Sequence, residues 1–298
     1  MQEQLEVPKI NDLIFDIGMH KGEDTNFYLK RGFRVIAFEA NPDMVAFCEQ
    51  RFKSFLEDGK LTIIFGAIVE SNDLIPKQET VKFYKNNSLS VWGTVCADWA
   101  ERNVHRGTTN TVVEVPVIKF IEIIQKYGMP FYMKIDIEGC DMICIKALKH
   151  FQIVPNYISF ESSKTSFSQI EAEIKILSEL GYLSFQAVEQ SSIPHTQKWI
   201  SECIEYTFEE GSSGLFGTEL PNPWKTKEEV LTQYKIISLG YKFLGDFGLL
   251  NSWKFPGSFL FRGLTRRAIQ FVTKAPVPGW YDTHASLFPP VNHNVGSS

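Results

Sequence analysis

The stretch Leu13-Ile14-Phe15-Asp16-Ile17-Gly18-Met19-His20-Lys21-Gly22 decides the fold. Leu13 to Ile17 is a short run of β-branched and aromatic side chains holding a single acid. Such runs mark a strand buried on both faces, as in a parallel sheet. Gly18 stops the run, and Asp24 to Lys30 reads as a short helix ended by Gly32. Arg34 to Phe38 predicts a second strand, closed by Glu39-Ala40-Asn41-Pro42. Met44, Phe47, Cys48, Phe52 and Phe55 then recur at helical spacing, and Leu61 to Phe65 predicts a third strand. Strand, helix, strand, helix, strand with short links means βαβ units with right-handed crossovers.

Outward from that core the pattern loosens and then returns. Thr80 to Tyr84 reads as an extra strand, Asn86 to Arg106 as loop with a helix, and Val112 to Val117 as an alternating strand. Ile118 to Lys126 reads as a helix stopped by Gly128 and Pro130. Phe131 to Ile137 predicts a fourth core strand running into Asp136-Ile137-Glu138-Gly139, with a helix on to about His150. Tyr157 to Phe160 predicts a fifth strand. A helix over 168–180 opens on a capping box, Ser168 with Glu171, and Leu183 to Val188 predicts a sixth strand. Lys227 to Ile237 reads as a helix, Ser258 to Phe261 as the closing strand and Leu264 to Val272 as a last helix. The expected class is α/β: a Rossmann-like, doubly wound, mostly parallel sheet with an elaborated C-terminal cap.

Size and composition agree with this class. The chain has 298 residues, 44% hydrophobic and 22% charged, enough for a core without disulfide staples. The net charge of −5 argues against a nucleic-acid partner. Five cysteines without a CxxC pair read as buried thiols in a reducing compartment rather than a zinc site. Residues 1–10 carry no apolar signal core, and no run approaches the ~18 apolar residues of a membrane span. A cytoplasmic location is the expectation. The back of the chain differs from the front: residues 206–298 hold 10 of the 20 Gly and 7 of the 14 Pro. We therefore divide the chain into a cofactor-binding core, 1–190, and a C-terminal extension, 191–298, packed on it and facing the substrate.

In a doubly wound sheet, ligands bind beyond the carboxyl ends of the strands, at the switch point. Asp16-Ile17-Gly18 with Gly22, Glu39, Asp136-Ile137-Glu138 and Glu161 fall at those ends. Gly18 and Gly22 let backbone approach a ligand. Glu39 lies 21 residues beyond Gly18, the placement of a carboxylate that accepts both ribose hydroxyls of a nucleoside. The dinucleotide fingerprint G-x-G-x-x-G is not matched, and an acid at position 16 disfavours a pyrophosphate. S-adenosylmethionine carries no phosphate and has a cationic methionine end, which suits Asp-x-Gly.

Phe15-Asp16-Ile17-Gly18 through Gly22, Ala37-Phe38-Glu39-Ala40-Asn41-Pro42 and Lys134-Ile135-Asp136-Ile137-Glu138-Gly139 resemble the FkbM-type S-adenosylmethionine-dependent methyltransferases over about residues 12–190. Gly214-Leu215-Phe216-Gly217, Leu220-Pro221 with Trp224, and Gly279-Trp280-Tyr281-Asp282-Thr283-His284-Ala285 resemble longer members. Met19-His20 departs from the Ala-Asn more usual there. The resemblance implies a class I methyltransferase acting on hydroxyl oxygens of sugars, lipids or polyketide-type products. It implies that Asp16 and Gly18 hold the methionine end and that Glu39 takes the ribose with Phe38 and Asn41 nearby. Ala67 and Ile68 would then flank the adenine, and Asp136 would sit near the transfer centre.

Methyl transfer to an alcohol needs in-line alignment and a group to take the proton. Asp136, Glu138, Glu161, His20 and His284 are candidate bases. His284, two residues after Asp282 in an aromatic segment that could fold back over the pocket, is the preferred imidazole. Asp136, Glu138, Asp141 and Glu161 could instead hold a divalent ion. Acids favoured by a helix N-terminus are the simpler reading, and no metal is expected. The expected function is thus S-adenosylmethionine-dependent O-methylation of a small-molecule or glycan-type acceptor. A non-catalytic nucleoside-binding module and an N-methyltransferase reading through Asn222-Pro223-Trp224 are the alternatives. Phe259 to Ile269, apolar with three Arg, could lie on a bilayer, but a core strand and helix is the preferred reading.

Overall fold

The computed structural model describes residues 4–70, 77–162, 166–201, 204–244, 267 and 280–290. In chain order the elements are β1 (Lys9–Ile17), α1 (Glu23–Lys30), β2 (Arg34–Glu39), α2 (Pro42–Arg51), α3 (Lys53–Glu57) and β3 (Leu61–Phe65). There follow β4 (Thr80–Asn86), α4 (Ala97–His105), β5 (Asn110–Pro116), α5 (Phe120–Tyr127), β6 (Met129–Ile135) and α6 (Asp141–Ala147). The rest comprises β7 (Tyr157–Glu161), α7 (Phe167–Glu179), β8 (Ser184–Glu189), α8 (Ile193–Thr196), β9 (Lys198–Ile200), β10 (Glu205–Thr207), α9 (Lys227–Leu244) and β11 (Tyr281–Ser286).

The main sheet runs β3-β2-β1-β6-β7-β11-β8. β3, β2, β1, β6 and β7 are parallel neighbours, and β11 lies antiparallel between β7 and β8. The order reverses direction between β1 and β6, which makes that crevice the switch point. A parallel sheet with one antiparallel strand set next to its last position is the class I methyltransferase form of the Rossmann-like fold. Both faces are covered. One core joins Leu13, Phe15, Ile135 and Phe160 to α5, α6, α7 and α9; the other joins Ile14, Tyr132 and Tyr157 to α1 and to aromatic residues of 199–224.

β2 to β8 fall where apolar runs predict them, within two residues; β1 begins four residues earlier, at Lys9, and β9, β10 and β11 are not among the expected strands. Three local expectations change. The helix after β2 breaks at Phe52 into α2 and α3, and its buried stripe is Val45, Cys48 and Phe52, leaving Phe47 46% exposed. The register is set by Asn41, whose side chain accepts from Asp43 N at 3.1 Å, with Pro42 at the first helical position. α7 is capped two residues earlier than expected: Ser166 Oγ accepts from Gln169 N at 3.3 Å, because Ser166-x-x-Gln169 meets the cap spacing ahead of Ser168. β4 and β5 pair with each other and stand apart from the main sheet, carrying α4 between them.

The division at residue 190 is corrected most. β11, from within the extension, is an interior strand of the core sheet, next to its edge strand. Thr283 makes a buried hydrogen-bonded cluster with Tyr234 (2.6 Å) and Ser162, and Ala285 is fully buried. Other described parts of the extension lie on both faces, with α9 against α7 and β8, and Trp199, Tyr206, Phe208 and Phe216 around Phe27 of α1. The strand expected at 258–261, most of the helix at 264–272 and the stretch 259–269, Arg267 apart, lie outside the described residues.

Candidate active site

A cleft of about 760 Å³, counting space open to solvent, lies beyond the carboxyl ends of β1, β2, β3 and β6. Gly18, Phe38, Glu39, Ala67, Ile68, Asp136 and Glu138, all expected at the site, line it together. Asp16, Gly22, Asn41 and His284 do not line it.

The loop after β1 is shaped by backbone that only glycine adopts readily. Gly18 has φ +84°, and a Cβ there would sit 1.9 Å from the carbonyl oxygen of Asp136. Gly22, φ +81°, turns the chain into α1, and a Cβ would strike the Phe52 ring at 2.3 Å. Gly22 therefore serves helix packing rather than ligand approach. Asn41 likewise caps α2.

Glu39 ends β2 and is buried. Its two oxygens accept from the backbone N–H of Asn41 (2.7 Å) and of His20 (2.8 Å). Burial raises its carboxyl above the ordinary value, against the pull of those donors. The side chain is thereby fixed in orientation while each oxygen keeps lone-pair capacity toward the cleft.

Asp16 lies beneath the loop, fully buried. Thr25 Oγ1 donates to its Oδ2 at 2.5 Å, and Lys134 Nζ is 3.6 Å from its Oδ1. Lys134 Nζ also lies 3.7 Å from Asp24 and 3.6 Å from Asp136, and donates to the Gly18 carbonyl at 3.0 Å. Burial alone would lower the ammonium, but Asp16, Asp136 and Asp24 hold it well above its usual value. Burial pushes Asp24 up to about 7 despite Lys134. Asp24 in turn accepts from Ser213 N at 2.8 and 3.0 Å, tying the C-terminal extension to α1.

On the far wall, burial and then the charges of Asp136, Glu161 and Asp141 push Glu138 up to about 9. It is thus a protonated acid at neutral pH, with Arg102 as its cationic neighbour. Asp136, Glu138 and Glu161 bring oxygens within 4.8 Å of one another. Asp141 accepts from Ile137 N at 3.2 Å, which ties the start of α6 to the loop.

His284 is placed differently from the expected flap. It sits in mid-β11, opposite Ser159 and Gln186 and 2% exposed, and its Nε2 has no hydrogen-bond partner among the described residues. Burial lowers its imidazole to about 3. A strand centre gives it no path to the cleft, so its role there is corrected. The cleft wall also includes Phe83, Ser90, Val91, Thr94 and Val95 from the β4–β5 insertion, and Ile118. Sequence reading places Phe83 on a strand but not in the cleft, and Ser90 to Val95 fall in a stretch whose irregular pattern gives no period. Among the described residues no helix is long and apolar enough to cross a membrane.

The methyltransferase FkbM domain family matches residues 16–184, over half the chain. No curated protein matches. A methyltransferase FkbM from Methylobacillus flagellatus KT is similar at 15% identity and TM-score 0.39, covering 60% of this chain and 41% of that one. A precorrin-6y C5,15-methyltransferase from Geobacter metallireducens GS-15 is similar at 12% identity and TM-score 0.33, covering 63% and 69%. A SAM-dependent methyltransferase from Archaeoglobus fulgidus is similar at 13% identity and TM-score 0.36, covering 92% and 85%. The match across β1 to β8, on a sheet of the order described, places the chain: it belongs to the FkbM-domain methyltransferases, and S-adenosylmethionine is its methyl donor.

Proposed function

We propose that the chain methylates a hydroxyl oxygen of a small-molecule acceptor of sugar, lipid-linked or natural-product type. One observation carries the reading: Gly18, Glu39 and an apolar slot share a single cleft with Asp136 and Glu138. The donor set fits the cofactor. Glu39 offers a fixed carboxylate to two ribose hydroxyls, and Ala67, Ile68 and Ile118 offer apolar surface to a purine ring. Asp16 acts from below, shaping the loop with Lys134 rather than touching the ligand.

S-adenosylmethionine supplies an electrophilic methyl on a sulfonium. The chain's own residues have two tasks: to align the acceptor and to handle its proton. Asp136, 3.6 Å from Lys134 at the cleft edge, and protonated Glu138 are placed to orient an acceptor's polar groups. The N-methyltransferase reading loses support. Trp224 packs on Tyr157, and Lys225 pairs with Phe185, at the amino ends of β7 and β8, opposite the cleft. Phe83, Ser90, Val91, Thr94 and Val95 of the β4–β5 insertion line the cleft, which supports that insertion as an acceptor-facing surface.

The test is transfer from methyl-tritiated S-adenosylmethionine to a panel of sugars, polyprenol-linked sugars and polyketide alcohols. Methyl ethers are the expected products. Label found on nitrogen or carbon alone would overturn the proposal.

A further inference from the structure

His20 stands in the middle of a three-residue chain, between Glu23 and Ser90. Its Nδ1 is 3.1 Å from Glu23 Oε1, and its Nε2 is 2.8 Å from Ser90 Oγ. The backbone that carries it is unusual for a residue with a Cβ, with φ +50°. It is held there from two sides: His20 N donates to Glu39, and its carbonyl accepts from Cys48 Sγ at 3.3 Å. His20 is the one imidazole among the described residues that line the cleft.

The tautomer follows from Glu23. Burial would raise its carboxyl, but the hydrogen bond and charge of His20 and then Lys134 outweigh it and hold it below the ordinary value. Glu23 also accepts from Lys21 N at 3.1 Å. An ionised carboxylate can only accept, so Nδ1 carries a proton, and in the neutral ring Nε2 keeps the lone pair. Ser90 Oγ–H then donates to Nε2. A carboxylate that orients an imidazole whose free nitrogen receives a hydroxyl proton is the arrangement of a general base.

The geometry points to His20 as the general base of methyl transfer, with Glu23 as its positioning residue and Ser90 marking where an acceptor hydroxyl docks. This rests on the hydroxyl-acceptor reading. The acceptor O–H proton passes to His20 Nε2. Its oxygen pair forms the bond to the methyl carbon, and the carbon–sulfur bond breaks with its pair returning to sulfur. The proton then leaves Nε2 for water.

Two rivals are weaker. Glu138 is already protonated at neutral pH, and Asp136 is engaged by Lys134. The charged and titratable groups around His20 are Glu23 on α1, Glu39 at the end of β2, and Cys48 and Arg51 on α2, the last bound to Lys21 O at 2.8 Å. Asp136 and Glu138 line the same cleft.

The experiment has two arms. In the first, nitrogen-15 chemical shifts of the His20 ring are read with no acceptor present. The expected tautomer is Nδ1–H, and Glu23→Gln should abolish the preference; an Nε2–H ring in the native protein would overturn the assignment. In the second, a hydroxyl acceptor found with methyl-tritiated S-adenosylmethionine is used for kcat/KM against pH. His20→Gln should lower kcat by about 10²–10⁴-fold and alter the pH profile, while S-adenosylhomocysteine affinity by calorimetry stays within about threefold. Glu23→Asp should restore part of what Glu23→Gln loses. O-methylation that keeps its rate and pH profile in His20→Gln rejects His20 while leaving the function reading intact. Absence of any hydroxyl methylation rejects the function reading, and the base role with it.

Discussion

Lys134 Nζ donates to the carbonyl oxygen of Gly18 at 3.0 Å. A buried cation on β6 thereby sets the position of the loop after β1, across the switch point where the ligand binds. The same ammonium answers three aspartates, so it links loop, helix α1 and the Asp136 corner. Replacing it with Met leaves Asp16 and Asp24 buried without a counter-charge. Lys134→Met should cost about 3–5 kcal/mol of stability by urea unfolding. A loss below about 1 kcal/mol would show that the network is not what fixes the loop.

Gly18→Ala tests the loop more locally. The new Cβ meets backbone, the Asp136 carbonyl at 1.9 Å, at a φ of +84°. Backbone cannot rotate aside as a side chain can, so β1 and β6 must part at their carboxyl ends. S-adenosylhomocysteine affinity should fall by more than about 10-fold by calorimetry, corresponding to over ~1.4 kcal/mol. Unchanged affinity would mean that the ligand does not rest on this loop.

Glu39→Ala removes two fixed acceptors at once and frees the His20 and Asn41 amides. Each lost charged hydrogen bond is worth roughly 1.5–3 kcal/mol. We expect S-adenosylhomocysteine binding to weaken at least about 100-fold, with Glu39→Gln intermediate. Equal loss in both would assign the effect to the carboxylate charge rather than to its acceptor geometry.

His284 makes a signed prediction about pH. Its folded value is depressed to about 3, by burial. The unfolded imidazole takes up a proton below its ordinary value, and the folded one does not until far more acidic solution. Its contribution to stability is therefore full above pH ~6.5 and is lost progressively as pH falls toward 3, by about 1.4 kcal/mol per pH unit. In His284→Gln the pH slope of the unfolding free energy, read by urea titration between pH 6 and 4, should flatten by that amount. Identical slopes in both proteins would place the titration elsewhere.

The front of the site is legible in the sequence because its signals are local. β1, β2 and β3 are buried on successive apolar runs, and the order of their ends follows from connection rules, so the amino-acid order alone places Glu39 and Gly18. The burial of Asp16 is not legible for a physical reason: sequence shows an acid at a strand end but not that Thr25 and Lys134 close over it. β11 escapes because Asp282, Thr283 and His284 make a polar run, which does not read as a strand between two others. Its neighbours are supplied from far away in the chain, Ser159 and Ser162 on one side and Gln186 on the other. Ser90 is invisible to periodicity, since the hydrogen bond that brings it to His20 spans 70 positions.

The antiparallel seat of β11 between β7 and β8 sets an order of events during synthesis. Domains commonly begin to fold from the N-terminus as the chain emerges. Here β7 and β8 are made about a hundred residues before the strand that joins them, so each must wait with an open, adhesive edge. The sheet closes only when residue 286 has cleared the ribosome. Chains arrested before Tyr281 should remain protease-sensitive and be held by chaperones, and those arrested well past Ser286 should become resistant. The reading fails if resistance arrives while β11 is still inside the exit tunnel.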